Sequence, residues 1–205
     1  MNKELINYIE EKIFPEYSKN EEGHGIKHIN TVIERSKKLS ADFDVNQDMV
    51  YTIAAFHDIG HHIDRKNHEK ISADIFYQNE DMKKYFSEEE RVIIKEAIED
   101  HRSTLEREPR SIYGKIVSSA DRTILDIDEA LKRAYVYGKK HFPDYSEEES
   151  RVRVREHYIN KYGRSGYAKT YIKDEEYDKA LEAFRNLLDN EEEFYNRLHK
   201  VIEKI

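Results

Sequence analysis

The sequence predicts an all-α fold, and three observations carry that prediction. Apolar residues recur every three or four positions along most of the chain. Only three prolines and seven glycines interrupt its 205 residues. Charged residues make up 38% of it, as amphipathic helices with strongly polar outer faces require. The length suits a single helical bundle of about eight helices with a C-terminal helical extension.

The first helix is expected over residues 2–14, stopping near Pro15, with a polar loop at 18–25. The second begins near Gly25 and runs to about Ala41. After a turn at 44–48, Asp48 is the expected N-cap of a third helix running through His57 to Gly60. A short loop at 63–67 precedes a helix over 68–78. Ser87 and Glu90 form a capping box that opens the next helix, which ends near His101. A loop at 103–109 leads into a long helix, 111–139, followed by a turn at 141–145. Helices at 147–161, 174–188 and 190–204 complete the chain, and the least regular late segment is 162–171. With no internal repeat and no low-complexity linker, residues 1–140 read as the core and 141–205 as an extension packed on it.

Net charge is −8, which opposes non-specific binding to DNA or RNA, since that needs a basic surface. A small anionic substrate in a locally positive pocket remains compatible. The absence of cysteine excludes disulfides and thiolate metal ligands. The N-terminal stretch is amphipathic and acidic, unlike a signal peptide, and no apolar run approaches membrane-spanning length. The expectation is a cytoplasmic protein with no membrane partner; a homodimer is compatible with it.

The chemistry is read from histidines and acids on the apolar faces of their helices. A buried charge or imidazole costs several kcal/mol unless paired or metal-bound. His28 shares a stripe with Val32 and Leu39, and His57 and Asp58 follow Val50, Ile53 and Ala54 at helical spacing. His101 continues the stripe Ile94, Ala97, Ile98, and His68 precedes Ile71 and Ile75 on one face. Asp121 lies within the apolar run KIVSSADRTIL, four residues after Val117 and four before Leu125. Each alone has a plain alternative, a satisfied core histidine or an Asp paired with Arg122. One buried cation ringed by N and O ligands would explain them together.

The segments GHGIKHINTV, AAFHDIGHH and SSADR, in this order, resemble the H…HD…D signature of the HD-domain superfamily. The opening segment and the pattern IEDHR…KIVSSADR resemble more closely a bacterial branch of small HD proteins that includes nucleoside triphosphate pyrophosphohydrolases. The resemblance covers residues 24–138 and implies a metal-dependent phosphohydrolase with His28, His57, Asp58 and Asp121 as metal ligands. Two imidazoles and two carboxylates suit Mn²⁺, Fe²⁺, Co²⁺, Ni²⁺ or Zn²⁺ more than an all-oxygen Mg²⁺ site. A second metal is the next implication: His68 and His101 would hold it, bridged by Asp58. The alternatives are a pocket rim for His68 and a substrate contact for His101.

His61, one turn after His57, stands where many family members carry Glu, Lys or Asp. It is a candidate acid or base, as are Asp58 and His101 for catalysis; a solvent-exposed helix end is the other reading of His61 and His62. His24, Lys27 and Arg122 are candidate substrate contacts beside the motifs, though Arg122 also suits a structural ion pair. Arg164 and Lys169 fall in a tyrosine-rich stretch, 161–171, which suits either a substrate lid or an ordinary surface loop. His141, His157 and His199 read as surface residues.

The expected function is hydrolysis of a phosphate ester or anhydride, most simply of a nucleotide. The rival is a non-catalytic metal or nucleotide sensor. The cyclic dinucleotide branch is disfavoured because the tripeptide GYP does not occur.

Overall fold

The computed structural model describes residues 1–122 and 126–205. Ten α-helices and no strand lie within the described residues. They are α1 (Lys3–Tyr8), α2 (Ile26–Leu39), α3 (Gln47–Phe56), α4 (His68–Gln78), α5 (Glu88–Glu99), α6 (Ile112–Ala120), α7 (Ile127–His141), α8 (Glu147–Tyr162), α9 (Glu175–Asp189) and α10 (Glu191–Ile202). No helix among the described residues is long and apolar enough to cross a membrane.

The chain divides into two compact units, Met1–Arg122 with Thr170–Ile172, and Thr123–Lys169 with Lys173–Ile205. The division falls at Arg122 rather than near residue 140. It does so because the buried face of α7, Ala130, Leu131, Ala134 and Tyr135, belongs to the apolar cluster of Tyr158, Phe184, Leu188 and Phe194.

In the first unit α3 is the central element. Every residue from Met49 to Phe56 is buried, so this helix is apolar all round, as a core helix must be. Helices α2, α4, α5 and α6 contribute Ile29, Val32, Phe76, Ile94, Ile98, Ile116 and Val117 to the same core. The capping box of α5 forms as its sequence predicts, with Ser87 Oγ accepting from Glu90 N–H and the Glu90 carboxylate accepting from Ser87 N–H.

Four expected boundaries are corrected. The N-terminal helix does not stop near Pro15: it passes into a π-helical turn, Ile9–Ile13, and a 3₁₀ turn, Phe14–Lys19, with Pro15 in the first turn, where its missing N–H costs nothing. Asn46 caps α3, its Oδ1 accepting from Asp48 N–H at 2.9 Å, because the Asp48 carboxylate instead accepts from Asn2 N–H at 2.8 Å. The long helix over 111–139 is two helices. Helix α6 ends at Ala120 with Asp121 as its C-cap, and α7 starts after Asp126, whose side chain accepts from Glu129 N–H at 3.0 Å. Residues 123–125, expected to continue that helix, lie outside the described residues.

Helix α3 also ends earlier than Gly60. Its chain runs on as successive turns, with Ile59 N–H donating to Phe56, His61 N–H to Asp58 and Ile63 N–H to Gly60 carbonyls. This turn packs tightly on α4. A Cβ at Gly60 would lie 2.6 Å from Ile71 Cγ2, and Gly60 N–H donates to Ser72 Oγ at 2.9 Å.

Candidate metal centre

The ends of five helices and one 3₁₀ turn bring five histidines and two aspartates together in the first unit. His28 comes from the first turn of α2, and His57 and Asp58 from the C-terminal end of α3. His68 is the first residue of α4, His101 follows α5, and Asp121 caps α6. His24 ends the 3₁₀ turn Glu22–His24, just ahead of α2.

Asp58 lies at the centre and is buried. Its Oδ2 is 2.8 Å from His24 Nδ1, 3.5 Å from His57 Nε2 and 3.6 Å from His28 Nε2. Its Oδ1 is 3.2 Å from His68 Nε2 and 3.4 Å from His101 Nε2. Asp121 Oδ1 joins the first side, 3.1 Å from His28 Nε2 and 3.8 Å from His57 Nε2. Three groups of residues each offer ligand atoms that lie within 4.8 Å of one another inside the group: His28, His57 and Asp121; Asp58, His68 and His101; and His24, His28 and Asp58.

Three of the imidazoles are oriented alike. His57 Nδ1 donates to the Ala54 carbonyl at 2.8 Å, His68 Nδ1 to Arg65 at 2.9 Å and His101 Nδ1 to Ile98 at 2.6 Å. A carbonyl only accepts, so Nδ1 carries the proton in each ring. In the neutral ring Nε2 is then a lone pair aimed at the centre. His68 and His101 bring these lone pairs to 3.1 Å, and His57 Nε2 is 3.3 Å from His28 Nε2. Such pairs repel unless a cation or a proton lies between them. Carbonyl-anchored imidazoles with convergent Nε2 atoms beside carboxylates fit a divalent metal.

Electrostatics follow from burial and proximity. Burial pushes His57 down to about 4, against the pull of Asp58. Burial, reinforced by His24, takes His61 to about 4 as well. Burial opposes the charge on His68, but its hydrogen bond to Asp58 outweighs this and raises it. Both carboxylates overcome their desolvation: Asp58 is held well below the ordinary range by His57 and its imidazole neighbours, and Asp121 is lowered by His28.

The other sequence candidates separate clearly. His61 is buried and not a solvent-exposed helix end: its ring stacks on His24 with centroids 3.9 Å apart, while His62 is exposed. Lys27 is exposed in the first turn of α2, next to His28. Arg122, expected to contact substrate, is only 2% exposed and bonds Asp121, Ser118 and the His101 carbonyl. Arg164 bonds Asp189, Glu182 and Asn186 within the second unit, where Lys169 is exposed. In the stretch 161–171, Tyr167 and Ala168 N–H donate back to the end of α8, while Tyr171, itself part of the first unit, donates its N–H to Ser119 Oγ within that unit. His141, His157 and His199 are exposed.

Sequence reasoning missed the residues that hold this cluster together. Asn20 Nδ2 donates to the carbonyls of His24 and Asp58, each at 3.0 Å, and its Oδ1 accepts from His62 N–H, so it clips the loop to the turn after α3. Buried Arg35 donates from Nε to the Ala120 carbonyl at 2.9 Å, beside Asp121. Tyr17 donates its hydroxyl to the Ala55 carbonyl at 2.8 Å. Nothing in a single polar residue of a loop signals such a role; Arg35, on the apolar side of α2 with Val32 and Leu39, carried the one readable hint.

The fold and the cluster define a helical domain whose helix ends converge on a His/Asp site able to hold a divalent metal. The HD domain family matches residues 25–126, about half of the chain, and that stretch is an HD domain. A solved structure described as a predicted HD superfamily hydrolase, from an uncultured Thermotogales bacterium, is 23% identical over 76% of this chain and 83% of that one, with a TM-score of 0.49. No curated protein matches the chain.

Proposed function

We propose that this protein is a metal-dependent phosphohydrolase acting on a nucleotide or related phosphate ester or anhydride. In this reading His28, His57, Asp58 and Asp121 would hold one divalent metal, and Asp58, His68 and His101 would hold a second. The observation that carries it is the division of Asp58: Oδ2 faces His28 and His57, while Oδ1 faces His68 and His101. A metal held there would supply an activated water and neutralise charge on a phosphoryl group.

The remaining chemistry belongs to the chain itself. His24 keeps a proton on Nδ1, donated to Asp58 Oδ2, and this fixes the ring on which His61 stacks. His61, buried and stacked on His24, would serve as a general acid or base. The anchored Nδ1–H groups keep His57, His68 and His101 in one orientation, which limits reorganisation on binding. Lys27, exposed beside His28, suits a contact with substrate phosphate.

The test is a panel of nucleoside mono-, di- and triphosphates with Mn²⁺, Co²⁺ and Mg²⁺, read as phosphate against pyrophosphate release. Release of pyrophosphate from triphosphates favours the triphosphate branch, and release of phosphate from monophosphates favours a phosphomonoesterase. Bound metal without turnover on any substrate rejects catalysis in favour of a sensor.

A further inference from the structure

Arg122 immediately follows a proposed ligand and is among the most deeply buried cations of the first unit, at 2% exposure. Its donors are divided between two places. Nη1 donates to Asp121 Oδ2 at 3.1 Å. Nη2 donates to the His101 carbonyl at 3.2 Å and to Ser118 Oγ at 3.0 Å. Ser118 Oγ itself donates to the same His101 carbonyl at 3.2 Å. His101 stands just past the end of α5, where main-chain carbonyls have no helical partner.

We infer that Arg122 is a positioning residue that couples the two ligand groups, holding Asp121 to one-oxygen contact with the first and fixing the main chain of His101 in the second. The inference rests on the metal reading above. With Oδ2 engaged by the guanidinium, only Oδ1 of Asp121 faces His28 and His57. With its carbonyl held by two donors and its Nδ1 anchored to Ile98, His101 is fixed at both backbone and ring. A planar guanidinium serves both duties at once through its fork of donors. A lysine ammonium, a point charge on a flexible stem, keeps the charge without the fork. Direct contact with substrate is disfavoured by burial and by the engagement of both terminal nitrogens; Nε, also buried, makes no hydrogen bond among the described residues.

The test titrates Co²⁺ into metal-free wild type, Arg122→Lys and Arg122→Met against a competing chelator. Visible absorption reports ligand geometry, and circular dichroism melting of the metal-free proteins reports folding. The expected result is Co²⁺ uptake by the wild type at two positions. In Arg122→Met, affinity at both falls about ten- to a hundredfold, with altered visible bands. In Arg122→Lys the first position recovers in part and the second does not. Should the methionine variant fail to fold, the lysine variant carries the test alone. Wild-type affinity at both positions in the folded variants overturns the inference while leaving the metal reading intact. No Co²⁺ uptake by the wild type overturns the metal reading, and this inference with it.

Discussion

His68 and His101 face each other with their Nε2 atoms 3.1 Å apart, and each has already committed its Nδ1–H to a main-chain carbonyl. In neutral rings this opposes two lone pairs beside the Asp58 carboxylate, an arrangement that a protein interior retains only with a positive charge between them. The pair therefore separates a two-metal account from a one-metal account. His101→Ala and His68→Ala are expected to lower bound metal from two ions per chain to one while leaving the first position filled. Elemental analysis of the purified variants checks this, and unchanged stoichiometry would remove the second position.

His61 belongs to neither of these ligand groups, yet it is buried against His24. His61→Ala is expected to keep metal content at the wild-type level and to lower kcat by about 10²–10⁴-fold, the range for loss of a general base. Rate and metal content measured on the same sample decide it. A parallel loss of metal would make His61 a supporting residue of the site instead.

Metal-free protein should show a pH-dependent stability set by these imidazoles. His57 and His61 sit at about 4 in the fold, against an ordinary value of 6.5. Between those values the unfolded chain binds more protons than the folded one, so stability falls as pH falls, by at most about 1.4 kcal/mol per pH unit for each group. His68 has the opposite sign: its value is raised, so its contribution is present below 6.5 and is lost as pH rises through its folded value. The depressed carboxylates Asp58 and Asp121 extend the loss below pH 4. Thermal melts of chelator-treated protein are expected to peak near pH 6–7 and decline steadily towards pH 4. A melting temperature that is flat across this window would contradict the burial of uncharged His57.

Gly60 offers a test of the turn that carries the site. An added methyl would meet Ile71 Cγ2 at 2.6 Å and Ile71 Cβ at 2.9 Å, so either α4 or the turn must shift. Gly60→Ala is expected to destabilise by about 1–3 kcal/mol, the usual cost of overpacking. Because α4 begins with His68, weakened binding at the second metal position should accompany the lower melting temperature. Denaturant unfolding alongside metal titration measures both.

Much of this was legible in the sequence because the ligands obey helical periodicity. His28, His57, Asp58, His68, His101 and Asp121 each continue an apolar stripe, and each is drawn into the cluster. The starts of α4 and α5 were readable from local chemistry, above all from Ser87 and Glu90. What remained hidden depends on contacts distant in sequence. Asp48 looks like a cap until Asn2 claims its carboxylate. Asp121 looks like a mid-helix residue, because its apolar neighbours on both sides conceal the helix end. Asn20 reveals nothing until the fold brings it 3.0 Å from the carbonyl of Asp58, 38 residues later.

The central claim is that Asp58 bridges two metal positions. Metal count in purified protein, wild type and Asp58→Ala side by side, tests it most directly. The account predicts two divalent ions per wild-type chain, loss of both in the variant, and no hydrolysis by the variant with any added metal. An Asp58→Ala protein that stays folded, keeps its metal and still turns over substrate would contradict it.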